Sequence, residues 1–106
     1  MSQARTGALS SSELAAAVAQ LPGWRQSGKA LERGFVCAGF LEAMALLNQV
    51  AAIAQRLDHH PDMLIEFKKV RFTLSSHDAG GITARDVALA HEIDVAATAS
   101  GAAPRA

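Results

Sequence analysis

Residues 57–77 read LDHHPDMLIEFKKVRFTLSSH, and this stretch predicts the end of a helix followed by two strands. Its second half alternates apolar and polar side chains, the period of a half-buried strand. The apolar set is Val70, Phe72 and Leu74, and the polar set is Arg71, Thr73 and Ser75. Residues 62–67, DMLIEF, predict the neighbouring strand. Because Pro61 disfavours helical geometry at His60, the preceding helix must end at or just before the paired histidines.

Upstream of this stretch, the apolar period changes to that of a helix over about residues 39–58. Its apolar stripe is Leu46, Val50, Ile53 and Leu57. Residues 24–37, WRQSGKALERGFVC, predict a hairpin that turns around Gly28. Before it, SSELAAAVAQL predicts a first helix, because Ser10 and Glu13 have the spacing of a capping box.

Downstream, DAGG is a turn, and Thr83 with Asp86 forms a second capping pair in front of a last helix. The element order is therefore α-β-β-α-β-β-α. Strand pairs separated by helices predict an α+β fold: a four-stranded antiparallel sheet with helices packed on one face.

The length of 106 residues suits one domain, which we place at residues 10–98 between disordered segments at 1–9 and 99–106. Ten basic and ten acidic residues give a net charge of zero, so no basic excess indicates nucleic-acid binding. The N-terminus does not resemble a secretory signal, and the most apolar stretch is too short to span a bilayer. The single Cys37 cannot form an internal disulfide. These features predict a cytoplasmic protein without membrane contact.

The sharpest chemical signal is the set of His59, His60 and His77, placed where a helix and a strand end. Imidazole can give and take a proton near neutral pH, so two or three rings in one pocket predict acid–base catalysis. The competing interpretation is structural, since a single histidine is usually a surface or hydrogen-bonded residue, as we expect of His91. A zinc site is a further alternative. It is disfavoured because adjacent residues in extended chain point to opposite faces, and we predict no metal.

Asp86 has an ordinary role available, since an acidic residue in a first helical turn caps free N–H groups. The same carboxylate can also orient a histidine at a pocket wall. Trp24 is more often a core anchor than a ligand platform.

Together these residues resemble the pterin-4a-carbinolamine dehydratase family, over roughly residues 10–98. The resemblance rests on His59, His60 and Pro61 for the His-His-Pro motif, Phe67 at an aromatic position, His77 at a third histidine and Asp86 at a closing aspartate. It extends more weakly to Trp24 in LPGW. One position departs from the family pattern: Gln55 stands where the family often has glutamate, and an amide cannot act as a base.

The resemblance implies dehydration of 4a-hydroxytetrahydropterin to the quinonoid dihydropterin, with pterin as substrate and no cofactor. The catalytic residues would be His59, His60 and His77, and the substrate-binding residues would be Asp86, Trp24, Pro61, Gln55 and Ser76. The implied role is recycling the pterin of aromatic amino acid hydroxylases, especially phenylalanine hydroxylase, by a homodimer or homotetramer. The alternative is a non-catalytic binding module, since the family includes a dimerisation cofactor of a homeodomain transcription factor. Other proteins that resemble the fold serve as assembly factors for a carbon-fixing enzyme.

Overall fold

The protein, described here over residues 7–105 of a computed structural model, is built on an antiparallel sheet of spatial order β1-β2-β4-β3. A short β5 pairs with β2 beside β1. The strands are β1 Arg25–Ser27, β2 Ala30–Val36, β3 Asp62–Glu66, β4 Lys69–Leu74 and β5 Ala103–Pro104. The helices over these residues are α1 Ser11–Ala19, α2 Phe40–Leu57 and α3 Ala84–Ala99. The α+β class and the antiparallel sheet predicted from the sequence are thus confirmed.

The core lies between one face of the sheet and helices α2 and α3. Phe72 of β4 is fully buried and meets Phe35 of β2 edge to face, with ring centroids 6.1 Å apart. The helices contribute Ala43, Leu46, Val50, Leu89 and Ile93 to this core. Strand residues of the other parity project to the opposite side of the sheet, called the open face here. The open face includes Glu32, Gly34, Arg71 and Thr73.

The helix boundaries follow the local signals in the sequence. Helix α2 ends at Leu57, one residue before the predicted limit, and Asp58 closes it in the left-handed region at φ 52°. Both predicted capping boxes are present: Ser10 with Glu13 at α1, and Thr83 with Asp86 at α3. Capping therefore fixes where α3 begins and places Asp86 in its first turn.

The strand predicted to reach His77 ends earlier. After Leu74 the chain pairs only through a bridge between Ser76 and Gly81, and a 3-10 turn over His77–Ala79 follows. Gly80 closes this turn at φ 76°, a conformation that glycine adopts without strain. His77 consequently sits on a turn beyond the sheet.

The prediction of a disordered tail over residues 99–106 is wrong for the part that the structure describes. Ala99 is the last residue of α3, and β5 pairs with β2. Gly101, at φ 75°, turns the chain back, and the Arg105 N–H donates to the Gly34 carbonyl at 3.1 Å. Two residues of strand are too short to show a period, which is why the sequence did not reveal them.

The predicted disordered segment at 1–9 lies largely outside the described residues, since the structure starts at residue 7. At its described end, the Leu9 N–H donates to the Ile82 carbonyl at 2.8 Å, so this residue is tied to the body of the protein. The predicted domain limits at residues 10 and 98 stay a prediction.

Candidate active site

The end of α2 points the two adjacent histidines in different directions. The His59 N–H still donates to the Ala54 carbonyl at 3.0 Å, so the chain leaves the helix at this residue. The His59 side chain is only 10% exposed, whereas His60 is exposed and the intervening chain leads through half-buried Pro61 into β3. Side chains of adjacent residues in extended chain alternate in this way.

The inward ring of His59 meets the carboxylate of Asp86, which is fully buried in the first turn of α3. The distance from His59 Nε2 to Asp86 Oδ1 is 2.6 Å. An ionised carboxylate only accepts hydrogen bonds, so the hydrogen is assigned to Nε2 and the lone pair of the neutral ring to Nδ1. Asp86 therefore holds His59 in the tautomer that leaves Nδ1 ready to take a proton.

The second oxygen of Asp86 is fixed by its own surroundings. Oδ2 accepts from the Thr83 backbone N–H at 2.9 Å and from the Ser76 hydroxyl at 2.8 Å. Ser76 and Thr83 are themselves buried, and their hydroxyl oxygens lie 2.9 Å apart. The N-terminus of α3 adds the positive end of the helix dipole. This network holds the carboxylate in a fixed position behind His59.

His77 follows Ser76 directly and lines an open hollow of about 390 Å³. The other lining residues are Lys29, Ala30, Asp62, Thr73, Ser75, Gly80 and Gly81. Ligand pockets typically span ~300–1,000 Å³, so the volume suits a small bicyclic molecule. Neither His59 nor His60 is among the lining residues. The expectation that all three rings share one cavity therefore stays a prediction.

Two observations connect His59 with the turn that carries His77. One carboxylate, that of Asp86, bonds His59 with one oxygen and the neighbour of His77 with the other. The pKa of the Asp78 carboxyl lies below its usual range, chiefly because Arg85 donates hydrogen bonds to it, and the smallest contribution comes from His59 when its ring carries a proton. His59 is thus within electrostatic range of the residue that follows His77.

His60 and Gln55 form a separate, exposed pair. His60 Nε2 lies 3.0 Å from Gln55 Oε1. The amide oxygen can accept from the ring in either charge state but cannot take its proton. Gln55 thus orients His60 without acting as a base.

Trp24 is bonded to the other aspartate of α3 and not to Asp86. The indole Nε1 donates to Asp94 Oδ1 at 2.8 Å, and the side chain is buried in the core. Asp94 follows Asp86 by eight residues on α3, which is roughly 12 Å along the axis. Trp24 therefore anchors the core, and its role in binding substrate stays a prediction.

Cys37 is buried, and burial raises the pKa of its thiol, with a further contribution from Glu42. A thiol with a raised pKa carries little reactive thiolate. Over residues 7–105, no three His, Cys, Asp or Glu side chains gather as the ligands of one metal ion would.

Several residues at the hollow were not singled out from the sequence. Thr73, Ser75 and His77 are spaced two residues apart. The two-residue period of a strand could therefore have placed Thr73 and Ser75 on the same side of the chain as His77. Lys29 and Asp62 come from distant loops and strands, so only the tertiary structure brings them to the hollow. The Ser75 hydroxyl donates to the Lys29 carbonyl at 2.7 Å, and this bond joins the loop that carries Lys29 to the end of β4.

Fold and site define a small α+β protein in which a histidine–aspartate pair is hydrogen-bonded to Ser76, the residue before the histidine that lines an open hollow. The model of the family described as pterin 4 alpha carbinolamine dehydratase matches residues 7–96. The chain belongs to this family.

Relatives and solved structures agree with that assignment. A provisionally named pterin-4-alpha-carbinolamine dehydratase of Thermomicrobium roseum is 44% identical over 85 residues, covering 80% of this chain and 91% of that protein. One from Afipia carboxidovorans is 48% identical over 88 residues, covering 81% and 88%. The crystal structure of a transcriptional coactivator/pterin dehydratase from Brucella melitensis has a TM-score of 0.83 and 31% identity, covering 86% of this chain and 99% of that one.

A more distant solved structure is a pterin dehydratase-like protein identified as a RuBisCO assembly factor in the alpha-carboxysome. Its TM-score is 0.61 at 26% identity, covering 71% of this chain and 89% of that one. Proteins with this fold therefore carry more than one functional description. Separately, none of the helices within the described residues has the length and apolar character needed to cross a membrane.

Proposed function

We propose that the protein dehydrates 4a-hydroxytetrahydropterin to the quinonoid dihydropterin by histidine acid–base catalysis. The C4a–O bond breaks and the hydroxyl leaves as water after gaining a proton. N5 loses its proton, and the freed electron pair forms the new double bond to C4a. No electrons are transferred to another molecule, so the reaction needs an acid and a base and the pterin is the only organic reactant.

The observation that carries the proposal is the pair formed by His59 and Asp86. A buried carboxylate behind an imidazole stabilises the imidazolium that forms when the ring takes a proton. We assign His59 as the base that removes the N5 proton through Nδ1. His77, at the wall of the hollow, would supply the proton to the leaving hydroxyl. His60, held by Gln55, would orient the pterin.

The test is the rate of 4a-hydroxytetrahydropterin dehydration above the uncatalysed background. We expect the wild-type protein to accelerate the reaction, and His59→Ala and His77→Ala each to lose about 100-fold or more of that acceleration. His91→Ala is the matched control, because His91 is exposed on α3. Equal rates for all four proteins, or no acceleration by the wild type, would overturn the assignment.

In the cell, this activity would recycle the pterin oxidised by aromatic amino acid hydroxylases such as phenylalanine hydroxylase. We further propose a cytoplasmic homodimer or homotetramer. Light scattering on the purified protein measures the mass of the assembly. A mass of one chain at micromolar concentration would exclude both the homodimer and the homotetramer.

A second candidate is a non-catalytic binding or assembly module. It is favoured by the exposed apolar residues of α2: Phe40 at 49%, Leu41 at 76% and Met44 at 36% exposure. Exposed apolar patches commonly mark protein interfaces. The two similar solved structures, described as a transcriptional coactivator/pterin dehydratase and as an assembly factor, point the same way. The dehydration assay separates the two candidates, since a pure binding module would give the background rate.

A further inference from the structure

A second hollow, of about 380 Å³, opens mainly on the open face of the sheet. Its charged lining consists of four arginines and one carboxylate: Arg25, Arg33, Arg71, Arg105 and Glu32. The chain as a whole has no net charge, so this hollow gathers positive charge that the composition does not reveal. It shares no lining residue with the hollow at His77.

The strand register explains why arginines from separate strands meet here. Arg71 of β4 lies directly opposite Gly34 of β2, and Arg105 is bonded to the other edge of Gly34 through its N–H. A Cβ built on Gly34 would lie 3.3 Å from Arg105 Cδ. Since opposed residues project to the same face, the Arg105 stem lies on the face of Arg71. Gly34 thus leaves the floor between the two arginines open.

Two of the four arginines are neutralised by the protein itself. Arg25 donates to Glu32 Oε1 from Nε at 3.2 Å and from its NH2 group at 2.9 Å. Arg33 donates to Asp94 Oδ1 at 3.1 Å and to the Pro22 carbonyl at 2.9 Å. Glu32, the only carboxylate among the described lining residues, is therefore already paired with Arg25.

The other two arginines have no such partners. Within residues 7–105, the side chains of Arg71 and Arg105 make no hydrogen bond or ion pair. Like charges gathered without counterions destabilise the folded state, so a bound anion here would stabilise it.

We propose that Arg71 and Arg105 bind an oxyanion across Gly34, either free phosphate or pyrophosphate or the phosphate group of a small organic molecule. The guanidinium fork matches phosphate oxygens and binds them with paired, charge-assisted hydrogen bonds. The strands that flank β2 are roughly 10 Å apart, a span that two arginine side chains can close around one ion. The site is independent of the dehydration proposed above.

Isothermal titration of the full chain with sodium pyrophosphate at low ionic strength tests the site. We expect saturable binding of one ion per chain, weakened roughly tenfold by Arg71→Gln and by Arg105→Gln. Lys69→Gln is the control, because Lys69 is exposed on the same face of β4 but does not line the hollow. It should change the affinity less than about twofold.

Parallel titrations with inorganic phosphate and phenyl phosphate distinguish a free ion from a phosphorylated organic molecule. Tighter binding of inorganic phosphate would indicate a free ion, and tighter binding of phenyl phosphate would indicate the organic molecule. Circular dichroism confirms that each variant is folded. Absence of binding to all three probes would overturn the proposal. So would an equal loss of affinity in Lys69→Gln, because the attraction would then be general rather than local.

Discussion

Helix α3 presents two aspartates, eight residues apart, and each accepts a hydrogen bond from a ring N–H. Asp86 takes the N–H of His59 at 2.6 Å, and Asp94 takes the indole N–H of Trp24 at 2.8 Å. The geometry is nearly the same, but the rings differ. Imidazole has a second nitrogen that can accept a proton, and indole has none. An N–H held by a carboxylate is therefore chemically useful only at Asp86, whereas at Asp94 it anchors the core.

The surroundings of the two carboxylates differ as well. Asp86 is fully buried among neutral donors at the start of a helix. The Asp94 side chain is 25% exposed and already paired with Arg33. A negative charge without a bound cation nearby is best able to stabilise a positive charge that forms on His59 during a reaction.

The largest expected effect comes from Asp86→Asn. The amide introduces donors where His59, Ser76 and Thr83 all donate, so the ring loses its fixed tautomer. We expect kcat for dehydration to fall about 100-fold or more. Stopped-flow rates on folded protein measure this, and a kcat within threefold of the wild type would contradict the role assigned to the carboxylate.

Asp94→Asn is the matched substitution at the other end of the comparison. It should lower the free energy of unfolding by about 1 kcal/mol through weaker bonds to Trp24 and Arg33. Because this pair lies away from the hollow, kcat should stay within about twofold. Urea unfolding and the same rate assay give both values. A loss of kcat without a loss of stability would show that Asp94 supports the reaction rather than the core.

Ser76→Ala tests whether the orientation of Asp86 matters. Removing one of the donors to Oδ2 leaves the Thr83 N–H in place, so we expect kcat to fall roughly 3- to 10-fold with KM unchanged. Ser76→Thr retains a hydroxyl and should restore most of the rate. A change in KM alone would instead indicate that Ser76 contacts the pterin.

The smallest effect concerns a third aspartate, Asp78, which is exposed. Arg85→Gln removes the donor that lowers the pKa of Asp78, so this pKa should rise toward its ordinary value. A depressed carboxyl pKa adds stability above its unfolded pKa, and this is lost as pH falls through the folded pKa. The variant should therefore lose less stability on acidification. NMR titration of Asp78 reads the shift, and Arg56→Gln, which removes a pair with Glu92, is the control.

Local signals predicted most of the fold. The alternation in β4, the helix stop before Pro61 and the Thr83–Asp86 capping box each depend on residues close in sequence, and each was read correctly. The pairing of Trp24 with Asp94 was not predictable, because the partners are 70 residues apart. The same holds for β5, whose two residues gain their conformation from β2 rather than from their own pattern.

The candidate site divides in the same way. The residue types of His59, His77 and Asp86 indicated acid–base chemistry from the sequence. Which ring meets the carboxylate depends on how the end of α2 docks against the start of α3, and no periodicity encodes that. Lys29 and Asp62 reach the hollow only through the packing of separate strands.

The central claim is that His59 and His77 face one bound pterin, and NMR of protein labelled with ¹⁵N at histidine tests it most directly. On titration with 7,8-dihydrobiopterin, the ring nitrogens of both residues should shift along curves with the same Kd, while His91 stays unchanged. A shift at only one of the two rings, or the same shift at His91, would contradict the claim.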